Sequence, residues 1–256
     1  MLEGLYAGAI ADAEQRQVEV SFPVIEKLAL ESPVALNALD FLAPAPHIKV
    51  LAEVKRASPS KGDLAEIADP AELSATYAAF GASTISVLTE QRRFKGSLQD
   101  LRSVRKRVAI PVLRKDFIAN EYQVFEARAA GADLVLLIVA GIEAKTLIRL
   151  KTLIEELGMT AFIETHNGDE VRFAVDIDTK LLGVNARDLS TFETDRNLFG
   201  SLSNLIPAST IKVAESAVRN ADDVRHYRAA GADVVLVGEA LVTGNPKQLL
   251  KEFTSI

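Results

Sequence analysis

Cysteine is absent from the 256-residue chain. There is therefore no disulfide framework, no thiolate nucleophile and no cysteine-based metal site. Histidine is scarce as well: His47, His166 and His226 are widely spaced, which argues against a zinc centre. No run approaches the ~18 apolar residues of a spanning helix. The N-terminus carries Glu3 and Asp12 rather than a basic stretch before an apolar one, so no export signal is read and a soluble, cytoplasmic protein is expected. A basic excess is also missing. With 29 Lys and Arg against 35 Asp and Glu, the net charge of −6 speaks against a general nucleic-acid binder. An anionic ligand would have to be drawn in by local cations rather than by the whole field. What the chain does have is a hydrophobic fraction of 48%, enough for a sizeable core in one large domain or two small ones.

Residues 1–47 read as a helical extension. Leu5, Ala9 and Ala13 recur at spacings of four within a helix-compatible stretch from Leu2 to Val20. Pro23 opens a second short helix running to Leu30, and Pro33, Pro44 and Pro46 punctuate a loop. From residue 48 to 256 a regular beat follows. Strand-like runs occur at Ile48–Lys55, Thr84–Leu88, Ile110–Lys115, Leu134–Val139, Thr160–Glu164, Lys180–Asn185, Thr210–Glu215 and Val234–Val237, with helical patterns between them. Gly-Ala-Asp precedes two strands, at residues 131–133 and 231–233, the glycine supplying a left-handed helix stop. Eight strand–helix units predict an α/β fold, a (β/α)8 TIM barrel, for which ~200 residues is the lower limit. A doubly wound open sheet is the competitor, but no GxGxxG follows the first strand.

The first strand holds the anomaly that points to function. Side chains alternate along a strand, so Leu51, Glu53 and Lys55 share one face. Burying a lone carboxylate or ammonium costs several kcal/mol, so an acid and a base on an inward face mark either a site or a structural ion pair. Past them runs a polar loop, Arg56 to Gly62, with Arg56 and Lys61 as its cations. Barrel active sites lie at the C-terminal strand ends. The other ends carry Lys115, Glu164, Asn185 with Arg187 beyond it, Glu215-Ser216, and Gly238. Such a rim of cations and carboxylates fits proton-transfer chemistry on an anionic substrate. The last two loops, Glu215-Ser216-Ala217 and Gly238-Glu239, stand where barrels often hold phosphate, and Glu239–Val242 can open a helical turn. His166 reads as a loop residue.

The motifs AEVKRASPSKG, PVLRKDF, LVLLIVA, GVNARDL, VAES and VLVGEALV, in this order and spacing, resemble indole-3-glycerol-phosphate synthases over residues 48 to 242. The resemblance implies ring closure, decarboxylation and dehydration of 1-(2-carboxyphenylamino)-1-deoxyribulose 5-phosphate in tryptophan biosynthesis, without a cofactor. It also implies a small phosphorylated substrate and a monomer or weak homodimer. Carried over by position, Lys115 is the acid for ring closure, Glu164 the proton acceptor and Asn185 its orienting partner. Glu53 and Lys55 join that network. Ser58 and Arg187 serve the substrate's polar groups, its carboxylate among them. Phe94, Phe117, Leu136 and Leu189 match the pocket for the aromatic ring. Glu215, Ser216, Ala217, Gly238 and Glu239 belong to the phosphate end. Two positions depart from the family pattern: Ala217 replaces a frequent glycine and Glu239 a frequent serine. Another phosphate-binding barrel enzyme, such as a phosphoribosylanthranilate isomerase or a Schiff-base aldolase, and a non-catalytic barrel are the alternatives.

Overall fold

The computed structural model describes residues 2–188, 191 and 193–256. Eight parallel strands close into a barrel: β1 (Lys49–Val54), β2 (Thr84–Leu88), β3 (Val112–Lys115), β4 (Leu134–Ile138), β5 (Thr160–Thr165), β6 (Leu181–Asn185), β7 (Ile211–Glu215) and β8 (Val234–Val237). Each pairs with its neighbours in sequence, and β1 closes the ring against both β8 and β2, so the open-sheet alternative is excluded. The alternation read in the first strand holds throughout. Val50, Ala52 and Val54 face the helices, whereas Leu51 packs in the lumen with Leu113, Leu134, Phe162, Val213 and Leu236. The lumen floor is therefore an apolar plug, and whatever follows in phase on each strand rises above it to the mouth.

Around the barrel run α4 (Pro70–Ala79), α5 (Leu98–Arg107), α6 (Glu121–Ala129), α7 (Ala144–Glu156), α8 (Gly168–Asp176), α9 (Leu198–Leu202), α10 (Ala221–Ala229), α11 (Glu239–Thr243) and α12 (Pro246–Phe253). Polar caps start most of them. Asp69, Ser97, Asn120, Asn167 and Asn220 each accept a hydrogen bond from backbone N–H groups of the first turn. The repeated Gly-Ala-Asp phrase has a second purpose beyond the helix stop. Asp133 accepts from Val112 N at 2.8 Å and Asp233 from Lys212 N at 3.0 Å, pinning the start of the adjacent strand in each case.

Before β1 lie α1 (Leu2–Glu19), α2 (Phe22–Leu30) and α3 (Ala38–Leu42). The third falls inside the stretch expected to be a loop, where Asn37 caps a single turn. Tyr6 from α1 meets Phe117 edge-on, with ring centroids 5.5 Å apart. Gly141 makes this possible, since a Cβ there would lie 2.0 Å from the Tyr6 ring. Farther along α1, Arg16 donates to both oxygens of Glu126, at 2.5 and 2.9 Å. Glu126 also faces the fully buried Arg114, which donates to Gln123 O at 2.7 Å and Asp116 Oδ2 at 3.0 Å. A buried guanidinium is tolerable only with its donors satisfied in this manner. The extension is thereby tied to β3, the strand that ends in Lys115. Among the described residues, no helix is long and apolar enough to cross a membrane.

Candidate active site

A cavity of 580 Å³ opens at the C-terminal strand ends. Fourteen of the residues singled out in the sequence line it: Glu53, Lys55, Ser58, Phe94, Lys115, Phe117, Leu136, Glu164, Asn185, Arg187, Ser216, Ala217, Gly238 and Glu239. Leu5 of α1 contributes to one wall, so the N-terminal extension covers part of the mouth. Leu189 lies outside the described residues.

Lys115 stands at the centre of the polar groups. Its Nζ donates to Glu215 Oε2 at 2.8 Å and to Glu164 Oε2 at 3.5 Å. Burial works against its charge, but the carboxylates of Glu215, Glu164 and Glu53 outweigh it and raise the Lys115 pKa. The side chain is held as an ammonium. Glu164 is buried too, which favours its neutral form. The charges of Lys115 and His166 and the hydrogen bond from Asn185 overcome that and hold Glu164 well below the usual carboxylate range. Glu215 goes the other way: burial pushes it up to about 8, against the pull of Lys115 and with the help of Glu164's charge. Two carboxyls that share one lysine thus take opposite protonation states at neutral pH.

Asn185 is locked by three contacts. Its Nδ2 donates to Glu164 Oε1 at 3.0 Å, while its Oδ1 accepts from Arg187 N at 3.0 Å and Ser216 Oγ at 2.8 Å. On the opposite wall, Lys55 Nζ lies 3.5 Å from Glu53 Oε1 and 5.8 Å from the centroid of Phe94. Phe94 and Phe117 pack with ring centroids 6.2 Å apart and planes tilted by 44°, giving an apolar corner beside that ammonium. The other Glu53 oxygen, Oε2, is buried with no hydrogen-bond partner among the described residues.

Several sequence readings need correction. Arg56 is not a cation of the cavity. It turns outward and grips Asp100 with two hydrogen bonds, at 2.5 and 3.2 Å, anchoring the loop to α5. Glu215, assigned to the phosphate end, does not line the cavity but sits beneath Lys115. Gly238 was assigned to the phosphate end; a Cβ there would first meet Glu53 Oε1, at 2.5 Å. Gly183 plays the same part across the barrel, where a Cβ would fall 2.1 Å from Glu215 Oε1. These glycines make room for carboxylates. His166 does follow β5 in a bend, but its ring is turned inward, with Nε2 3.2 Å from Glu164 Oε1. The spacing Glu-x-His with a second acid at Glu170 was the available signal.

At the other end of the mouth, Ser216 (φ 67°) and Ala217 (φ 56°) both adopt the left-handed region. For residues with a Cβ this costs about 1–2 kcal/mol each, and such strain collects at functional loops. The short hairpin pairing Ala57–Ser58 with Gly62–Asp63 overhangs this end, and Lys61 on it pairs with the Glu239 carboxylate.

Comparison with known proteins agrees with the geometry. The family model for indole-3-glycerol phosphate synthase matches residues 2–253. The chain belongs to the indole-3-glycerol phosphate synthase family. Its relatives include the indole-3-glycerol phosphate synthases of Leifsonia xyli subsp. xyli, 61% identical over all of this chain and 98% of that one, and of Arthrobacter sp. strain FB24, 52% identical over all of this chain and 96% of that one. The enzymes of this family are carbon–carbon lyases of tryptophan biosynthesis acting on a phosphorylated small molecule. Among solved structures, 3-hexulose-6-phosphate synthase from Salmonella typhimurium superposes with a TM-score of 0.62 at 14% identity, covering 81% of this chain and 97% of that one. At that identity the likeness concerns the barrel alone.

Proposed function

We propose that the cavity converts 1-(2-carboxyphenylamino)-1-deoxyribulose 5-phosphate into indole-3-glycerol phosphate, carbon dioxide and water. The observation that carries this reading is the half-buried Lys115 ammonium, held by two carboxyls in a cavity whose other lining includes the aromatic pair Phe94 and Phe117. In ring closure the aromatic carbon bearing the carboxylate attacks the ketone carbon, and Lys115 delivers a proton to the oxygen. The surrounding carboxylates keep the lysine protonated, so the proton is in place when the oxygen develops charge. Carbon dioxide then leaves, and the electrons of its bond restore the benzene ring. In dehydration the new hydroxyl departs as water, with a proton from a rim ammonium, while Glu164 takes a proton from the ring methylene.

The two steps are coupled through charge. Once Lys115 has given up its proton, Glu164 has lost one of its two neighbouring cations and becomes a stronger base when a base is needed. Asn185 keeps that carboxylate aimed. Lys55, Ser58 and Arg187 attract the substrate carboxylate, Phe94, Phe117, Leu136 and Leu189 clasp the ring, and the Ser216-Ala217 and Gly238-Glu239 loops take the phosphate. All these groups come from one chain, so a monomer suffices. The cytoplasm is its inferred place of action. Incubation with the carboxyphenylamino substrate should generate indole fluorescence together with carbon dioxide. Isomerised or cleaved products without carbon dioxide would sink the reading in favour of another phosphate-binding barrel enzyme.

A further inference from the structure

His166 is a half-buried titratable side chain in direct contact with Glu164 that the reaction above leaves unused. Its ring is held from both sides. Glu170, in the first turn of α8, accepts from His166 N at 2.8 Å and lies 3.3 Å from Nδ1 through the same Oε2. Glu170 is itself fixed, because Asn167 donates to its Oε1 at 2.6 Å while capping the helix. Turning the ring away would give up its contacts with both Glu170 and Glu164. Nε2 is thereby delivered to 3.2 Å from Glu164 Oε1, slightly off the line of a hydrogen bond, and has no other partner among the described residues. Contacts of this kind are often poorly aligned before substrate binds and tighten in the complex.

We propose that His166 is a positioning residue, which through Glu164 fixes the site's proton acceptor and keeps it ionised from the side opposite Lys115. The inference rests on the role given to Glu164 above. Its physical need is plain. Lys115 becomes neutral on ring closure, and a carboxylate this deeply buried would then be left with Asn185 as its only other support. A second cation that takes no part in ring closure keeps the carboxylate in place through the step that uses it. Around His166, β5 presents Glu164 and α8 presents Glu170; the neighbouring turn Val139–Gly141, packed on both elements, presents no titratable group. Between these two acids the imidazole is raised to about 10 despite its burial.

The test uses the full-length enzyme, with His166→Ala, His166→Gln and the control Glu164→Gln. His166→Ala should lower kcat about tenfold to a hundredfold, the scale of one charge-assisted hydrogen bond to a reacting group, with KM changed less than about threefold. The acid limb of kcat should move to higher pH, because Glu164 loses a cation and titrates closer to an ordinary carboxyl. His166→Gln restores a neutral donor, so part of kcat should return while the limb stays shifted. If both variants fold normally and keep the wild-type kcat and acid limb, the proposal is overturned. It is likewise overturned if lost activity tracks the unfolded fraction alone. If Glu164→Gln retains turnover, the role of Glu164 fails first and His166 falls with it. If Glu164→Gln is inactive while His166→Ala is not, only His166 has been misread.

Discussion

Lys115 Nζ is 2.8 Å from Glu215 Oε2 and 3.5 Å from Glu164 Oε2, so the lysine is shared between two buried carboxyls on strands two apart in the barrel. No guanidinium reproduces this arrangement, being larger and planar, with its donors spread over a fork rather than gathered at one point. Lys115→Met and Lys115→Arg should each lower kcat by at least ~10², the lower end of what general acid catalysis supplies, and change KM much less. Lys55 is the competitor for the acid role. In single-turnover experiments, ring closure at near wild-type rate by Lys115→Met but not by Lys55→Met would exchange the two assignments.

Glu215 makes a prediction about pH. Its pKa rises from an ordinary 4.5 to about 8 on folding, so between these values the folded state binds the extra proton. Stability associated with this group is present below pH 4.5 and is lost as pH rises through 8. Glu215→Gln imitates the protonated form and removes the effect. The urea midpoint of the wild type should therefore fall relative to that of Glu215→Gln between pH 5 and 8. Parallel curves over this range would show that Glu215 is already ionised in the fold.

The Lys61–Glu239 pair closes the hairpin over the phosphate end, and both side chains are solvent-exposed in part. Exposed pairs contribute about 0–1 kcal/mol, so little stability is at stake. Glu239→Ala frees the Lys61 ammonium to face an anion. KM for the phosphorylated substrate should stay level or fall up to about threefold, and the fall should vanish in high salt. A large rise in KM would mean that the carboxylate itself takes part in binding.

Gly238 offers a sharper discrimination. Adding one methyl group would drive it into Glu53 Oε1, and the carboxylate must then move. Overpacking of this type costs about 1–3 kcal/mol. Gly238→Ala should therefore lose kcat together with stability, whereas a variant harmed only through phosphate binding would lose KM. Thermal melts and steady-state kinetics on the same preparation separate the two outcomes.

The barrel was legible because alternation and punctuation agree along the whole chain: each strand was placed within two residues at either end, Glu53, Lys115 and Glu164 were put in phase with the lumen, and Asn185 was put at a strand end. What sequence could not give is what each side chain meets. Arg56 and Lys61 belong to one loop, yet one turns to α5 and the other to Glu239. Glu215 was grouped with its neighbour Ser216, but a strand end points its last residue into the lumen and its next residue to the rim. The short elements α3, α9 and the hairpin carry too few residues for any periodicity to register. His166 was passed over because a lone histidine after a strand has no meaning until Glu164 and Glu170 are seen to converge on it.

The docking of α1 and α2 constrains the order in which the molecule can be made. Arg16 reaches its partner Glu126 across 110 positions of chain, Val20 O accepts from Tyr122 across 102, and Leu36 N reaches Asp133 across 97. On the ribosome α1 and α2 therefore lack these partners until β3, α6 and the start of β4 have followed. At ~5–20 residues per second, that leaves the apolar faces of α1 and α2 waiting for several seconds in a growing cell. The extension is made before its docking surface and is fastened only once α6 and the start of β4 are in place.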